Sequence, residues 1–242
     1  MDKASYGAKL AGVRVESGNV KSFSFTVSGD YDYVAGQFAF LEFVYSAKRY
    51  VKYFSLSSSP TRINPEFTTI ISSSEYKQAL NKLRIGSRVK LSEPMGVFTL
   101  DSRVTDKIVY LAGGIGITPV RSMLQYLMDT GNPEISEIML FYSNRNMNRI
   151  IFREELDELN TRLDNLGVVH TLTEAGVDGE KTWDGETGFI NSEMIKKHLT
   201  NPVEWCFYVV GPPSFNKAMG YMLTRDLGLV GDNIITEDFT GY

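Results

Sequence analysis

The sequence is poor in cysteine and histidine, and each scarcity removes a class of function. Its 242 residues include one Cys, two His and two Trp. A single cysteine excludes an internal disulfide, a four-cysteine iron–sulfur cluster and a cysteine-rich zinc site. Cys206 sits in Trp205-Cys-Phe-Tyr-Val-Val210 and reads as a small core residue of a strand. His170 and His198 lack metal-ligand spacing, so no metal site is expected. Acidic residues outnumber basic ones 29 to 25 and no Lys/Arg block is long, which argues against nucleic acid as a partner. The chain also lacks a signal-like start and any apolar run long enough to cross a bilayer. It is expected to be cytoplasmic, with no transmembrane segment.

Two different rhythms fill the chain, and its length fits two domains. From Leu10 to Leu100 apolar residues recur with period two: Phe23, Phe25 and Val27 share one face of Val20–Val27, with Ser22, Ser24 and Thr26 on the other. Further short strands are predicted at Gln37–Val44, Phe67–Ile71 and Arg88–Leu91, separated by turn signals at Ser28-Gly-Asp30, Gly36, Ser59-Pro60, Asn64-Pro65 and Pro94-Met-Gly96. This spacing predicts a small antiparallel β-barrel. One helix interrupts it at Glu75–Leu83, with Ser72 and Glu75 at capping-box spacing.

From Asp106 strands alternate with helices. Strands are predicted at Lys107–Ala112, Glu137–Tyr142, Val168–Thr173, Trp205–Val210 and Asn233–Thr236. Helices are predicted at Pro119–Asp129, Phe152–Leu166, Ser192–Leu199 and Ser214–Leu227. That order implies a doubly wound parallel α/β sheet. The expected domains are residues 1–103 and 104–242, with Glu174–Gly188 as a long loop. Within the second domain, Tyr110-Leu-Ala-Gly113-Gly114-Ile-Gly116-Ile-Thr118-Pro119 reads as a buried strand, a glycine turn and a helix start, with Thr118 as N-cap and Pro119 at the first helical position. Glycines let backbone N–H groups close on an anion, and a helix N-terminus favours a pyrophosphate there. A tight connection without ligand is the plainer alternative.

A barrel followed by this loop resembles the ferredoxin–NADP reductase superfamily, and the resemblance covers nearly the whole chain. Lys52-Tyr53-Phe54-Ser55 is similar to its Arg-x-aromatic-Ser/Thr flavin signature, with Lys52 as a point charge where the family has a forked Arg. The resemblance implies that Phe54 stacks on the isoalloxazine and that Ser55 offers a hydroxyl to the flavin N5/O4 edge. Ser74-Glu75-Tyr76-Lys77 stands at the family's Gly-x-x-Ser/Thr, so Tyr76 and Lys77, with Ile71 and Ser72 before them, are expected at the flavin pyrophosphate. Pro94-Met-Gly96-Val-Phe98 resembles a barrel-closing turn. Gly113, Gly114, Gly116, Thr118 and Pro119 match the family's Gly-Gly-x-Gly-x-Thr-Pro for the nicotinamide dinucleotide without departure.

Ser143 and Arg145 follow the next strand and suit a ribose 2′-phosphate, so NADPH is favoured over NADH with both left open. Gly211 and Pro212 resemble the loop beside the nicotinamide, with Val210 in place of the family's Cys. Glu237 and Phe239 resemble the C-terminal Glu-x-aromatic, whose ring covers the outer flavin face, and Tyr242 competes for that role. The resemblance thus implies a flavoprotein oxidoreductase carrying FAD rather than FMN, with NADPH or NADH as co-substrate. Ser55, Glu237 and Phe239 would attend the reacting rings, and a soluble electron carrier such as ferredoxin or flavodoxin would be the partner. Two other readings stay open: a reductase that uses flavin as a diffusing substrate, and an electron-transfer subunit that works only within a complex.

Overall fold

Period-two patterning becomes sheet from the start of the first unit. The computed structural model describes residues 5–102, 105–131, 134–174 and 183–238, and its contacts divide them into two units. In the first, β1 (Ser5–Ser17), β2 (Val20–Val27), β3 (Phe38–Tyr45), β4 (Lys48–Ser55), β5 (Glu66–Ile70) and β6 (Arg88–Ser92) form an antiparallel sheet in the order β4-β3-β6-β1-β2-β5. A single bridge between Leu56, just past β4, and Phe67 of β5 brings the two edges of the sheet together, so the antiparallel sheet is curled as predicted without a continuous ladder closing it. Inward positions Leu10, Phe23, Phe25, Leu41, Phe67 and Leu91 fill it. The strands β1 and β4 complete a barrel whose other strands the alternation had marked.

Helix α1 (Glu75–Asn81) is shorter than predicted, and its N-cap is Ser74 rather than Ser72. Ser74 makes no side-chain cap bond. The Ser72 carbonyl instead accepts from Gln78 Nε2, 2.7 Å away. What anchors the helix is Glu75, which accepts from Lys48 Nζ at 2.6 Å and from Tyr50 OH at 2.9 Å, both on β4.

The first unit also includes Thr118–Asp129, most of α2 (Ile117–Thr130). Its polar residues are received by the serine run after β4. Arg121 Nη1 donates to Ser57 O and to Glu66 Oε1, each at 2.8 Å. Ser122 donates to Ser58 O, and the Ser59 N–H donates to Gln125 Oε1 at 3.0 Å. Thr61 and Arg62 bind Asp129. Behind this run, Tyr33 OH bonds to Ser58, while Thr68 Oγ1 lies 2.7 Å from Ser22 Oγ and 2.8 Å from Ser57 Oγ. Every one of these buried polar groups is satisfied by another.

In the second unit β7 (Lys107–Gly113), β8 (Glu137–Asn144), β9 (Leu166–Leu172), β10 (Glu186–Thr187), β11 (Cys206–Gly211) and β12 (Ile234–Asp238) form a parallel sheet, order β10-β9-β8-β7-β11-β12. Helices α3 (Arg153–Arg162), α4 (Ser192–His198) and α5 (Pro213–Arg225) connect it. Val109, Leu111, Phe141, Phe207 and Val209 pack its core with Ile195 and Leu223 from the helices. Cys206 is buried there as a free thiol. Three local expectations are corrected. Thr118 is not a cap, because a 3-10 turn at Gly114–Gly116 starts the helix at Ile117 and puts Thr118 and Pro119 inside its first turn, where the missing proline N–H costs nothing. Helix α3 ends at Arg162 because Leu163 is already extended, and it begins after Phe152, a left-handed residue at φ 59°. The stretch read as a long loop contributes the edge strand β10.

Arg121 and Glu66 are both deeply buried, with side-chain exposures of 7% and 12%. Removing one partner leaves the other charge stranded, so Glu66→Ala should lower the unfolding free energy by about 3 kcal/mol or more, measured by urea denaturation.

Candidate functional site

Strand alternation splits the Lys52–Ser55 motif between two faces of β4. Lys52 and Phe54 pair with Leu41 and Ala39 and share their inner face; Tyr53 turns the other way, between the rings of Phe38 at 5.4 Å and Phe40 at 5.8 Å. Ser55 is buried at the strand end, opposite Phe38. Phe54 is buried too. Its ring packs against Phe67 and Tyr76, each 5.8 Å away, and the Lys77 ammonium lies 4.5 Å from its centroid.

The unusual member of this group is Lys77. It is 5% exposed, and its ammonium is held by the Thr69 hydroxyl and the Phe54 ring rather than by a carboxylate. Burial first, and the positive charge of Lys52 second, pull its pKa down to about 7. The nearest carboxylate on its own helix, Glu75, is engaged by Lys48 and Tyr50. Burial likewise lowers Lys52. Two lysines brought together inside a barrel wall suit an anion, which would offset both the desolvation and the mutual repulsion. Tyr76 seals the group by donating to Leu41 O at 3.1 Å. The structure therefore gathers Lys52, Phe54, Tyr76 and Lys77. Half-buried Ile71 and Ser72 lie between β5 and α1, with the Ile71 N–H spent on Asn19 O.

In the second unit the expected residues converge at the carboxyl ends of four adjacent strands. Gly113 pairs with Ser143, Ala112 with Val210, Val210 with Glu237 and Gly211 with Asp238. The chain leaves β7 toward β8 on one side, and β11 lies on the other. That reversal is the topological switch point at which such sheets take ligands. The glycines are there because backbone crowds Gly116 and the Phe215 ring crowds Gly113 and Gly211. A Cβ on Gly116 would lie 2.4 Å from Val210 O, one on Gly211 would lie 2.7 Å from Phe215 Cδ1, and one on Gly113 would meet the same ring at 3.0 Å. These contacts leave a bare backbone cradle, of the kind that admits a pyrophosphate closely.

Around the cradle, Pro212 caps α5 and Asn216 Nδ2 donates to Glu237 O at 2.8 Å, fixing the end of β12. Ser143 is buried, whereas Arg145 is exposed and reaches Glu174 only at 3.9 Å. Phe239 and Tyr242 lie outside the described residues. Sequence reasoning missed Thr69, Phe215 and Asn216. Thr69 sits among the alternating residues of β5, and Phe215 follows Gly211-Pro-Pro at a spacing that reads as an ordinary helix start; only the fold brings them to the site. Among the described residues no three metal-ligating side chains cluster.

Because Gly116 has no room for a methyl group, Gly116→Ala should push the Gly114–Gly116 turn away from Val210. We expect NAD(P)H binding to weaken by about tenfold or more, read by nucleotide-induced fluorescence quenching, while the barrel's flavin affinity is kept.

Residues 110–220 match the oxidoreductase NAD-binding domain family. The glycine betaine monooxygenase reductase subunit of Pseudomonas aeruginosa is 28% identical over 214 residues, covering 86% of this chain and 57% of the relative. The Na(+)-translocating NADH-quinone reductase of Neisseria meningitidis contributes a relative that is 32% identical over 163 residues, covering 66% of this chain and 39% of that polypeptide. The chain thus spans only part of the curated relatives it matches. Among solved structures, the ferredoxin NADP+ reductase of Neisseria gonorrhoeae with bound FAD and NADP superposes with a TM-score of 0.82 at 20% identity, covering 97% of this chain and 98% of that one. The flavohem-like FAD/NAD binding domain of nitric oxide dioxygenase from Vibrio cholerae gives the same TM-score, 0.82, at 21% identity, with 97% and 98% covered. With its antiparallel barrel and its parallel sheet the chain shares the fold of these FAD- and NAD(P)-binding structures, and its residues 110–220 resemble the oxidoreductase NAD-binding domain.

Proposed function

We propose that the chain is a flavin-dependent NAD(P)H oxidoreductase, binding FAD on the barrel unit and a nicotinamide dinucleotide on the parallel-sheet unit. The observation that carries this reading is the switch point between β7 and β11, where Gly113, Gly116 and Gly211 leave only backbone at the strand ends. Lys52 and Lys77 support FAD, since a diphosphate would offset the desolvation of buried Lys77 and the repulsion from its half-buried neighbour Lys52. The N. gonorrhoeae structure, with FAD and NADP, supports the same pair of ligands. When bound, the flavin supplies the hydride-accepting ring and the step down to single electrons.

The chain's own residues hold and orient. Lys52 and Lys77 neutralise phosphate, Phe54 and Tyr76 provide apolar ring surface, and Ser55 presents a hydroxyl at the end of β4. Gly113, Gly114 and Gly116 hold the dinucleotide pyrophosphate, with Thr118 and Pro119 shaping the first turn of α2. Gly211, Pro212 and Glu237 border the nicotinamide, and Phe239 is assigned to the outer flavin face. Electrons then leave to a separate carrier protein of the ferredoxin or flavodoxin kind, as the reductase-subunit names of the relatives suggest. No helix among the described residues is long and apolar enough to cross a membrane, and we assign the chain to the cytoplasm.

One observation favours a second reading. Phe54 is covered, with Lys77 over its ring, so a stacking flavin must displace that ammonium. Weak retention of flavin would follow, and flavin would then act as a diffusing substrate. An absorption spectrum of gel-filtered protein separates the two. Retained FAD supports the prosthetic reading; colourless protein that reduces riboflavin as fast as FAD overturns it.

Lys77 also sets a pH dependence. Its folded value near 7 means that above pH 7 an anion binding beside it must bring a proton with it. FAD affinity should be full below pH 7 and should fall by up to about tenfold per pH unit above it. Titrations by flavin fluorescence check this, and Lys77→Met should bind more weakly with a flat profile. For the nucleotide, Arg145→Ala should raise KM for NADPH more than for NADH, because only NADPH has a 2′-phosphate for the guanidinium to pair with.

A further inference from the structure

The outward side of β1, β6 and β3 carries a groove of about 990 Å³ whose lining includes Lys9, Lys82, Arg84, Arg88 and Lys90. Its single carboxylate, Glu42, is already bound by Arg49 through hydrogen bonds of 2.8 and 2.7 Å. None of the five cations forms an ion pair among the described residues. In a chain of net charge −4 this is a local inversion of sign.

The register makes the inversion costly. Lys9 and Arg88 are directly opposite each other on β1 and β6, both exposed, and like charges in that position repel. Lys90 stands between Gly7 on one side and Glu42 on the other, and the glycine leaves the groove open beside it. No ion pair among the described residues relieves the Lys9–Arg88 repulsion. An anionic occupant would.

The groove opens on the face of the sheet opposite Lys52 and Phe54, although Phe43 beneath it packs against Tyr76 at 5.2 Å. Lys52 and Phe54 share the inner face of the barrel with Leu41 and Ala39, whereas Glu42 and Val44 point outward. Val44 lies six residues along β3 from Phe38, the partner of Ser55, which is about 20 Å of strand. The walls mix charge with apolar surface: Phe43, Ala8 and Val89 are buried beneath, and exposed Val44 and half-buried Tyr45 and Leu83 border them. A concave, partly apolar trough fits an extended polypeptide with carboxylates and apolar side chains. A flat lipid headgroup plane would not enter it, and a small inorganic ion would leave its apolar walls uncovered.

We propose that this groove docks an acidic segment of a partner protein. The cations steer the partner in and fix its register, so binding is salt-sensitive and depends on charge more than on buried area.

The test uses the full chain and a short fluorescein-labelled polyglutamate peptide, with fluorescence anisotropy at low and physiological ionic strength. The peptide should bind, more weakly as salt rises, and Lys9→Glu/Arg88→Glu should weaken binding by about tenfold. Lys9→Glu alone converts a repelling pair into an attracting one, so it should weaken peptide binding while raising Tm. NADPH-driven ferricyanide reduction should be unchanged in both variants. Undiminished binding in the double variant, or a fall in Tm for Lys9→Glu, overturns the proposal. So does stronger binding to phosphatidylserine vesicles or to inorganic tripolyphosphate than to the peptide.

Discussion

The ion pair between Arg121 and Glu66 is the constraint on which the first unit depends. One guanidinium nitrogen serves both the Glu66 carboxylate and the Ser57 carbonyl, so a helix, strand β5 and the serine run after β4 share a single buried donor. Around it the hydroxyls of Ser22, Ser57, Ser58, Thr68 and Tyr33 satisfy one another. Such a network is strong only when complete, since each member is the partner that keeps another from being buried alone. It also fixes the segment that follows Ser55, and so the end of the strand that carries the flavin motif.

The two halves of the proposed chemistry are prepared by opposite means. On the parallel sheet the preparation is steric: side chains are removed at Gly113, Gly116 and Gly211 so that backbone alone meets the ligand, and Phe215 packs the glycines from behind. In the barrel the preparation is electrostatic, because Lys77 is held at a cost that an anion would relieve. The first arrangement would need no change of charge on binding, whereas the second would take up a proton.

Much of this was legible in the sequence, for reasons that differ by element. Alternation in Val20–Val27 marked a strand whose bounds the structure reproduces, because one face carries apolar core residues and the other hydroxyls. The strand, turn and helix order around Gly113 was legible because glycine spacing and apolar runs are local signals. What stayed hidden depends on distant partners. Ser57, Ser58 and Ser59 read as a serine-rich turn; they receive a helix whose residues are 64 to 66 positions away. Ser72 had capping spacing, but Ser74 stands at the helix start, and Glu75 anchors α1 through β4. Phe54 was expected to offer an open stacking face, whereas Tyr76, Phe67 and Lys77 surround it.

The first unit is not one continuous stretch of chain. Thr118–Asp129 belongs to it, although the residues on either side, through Ile117 and from Thr130, belong to the second. A growing chain that has emerged only as far as the end of β6 already contains Glu66 but not Arg121. During synthesis the barrel strands can pair early, yet their buried carboxylate waits for a helix that arrives after β7. Folding of the two units is therefore interleaved in time, and a cut placed between residues 102 and 105 separates an acid from its base.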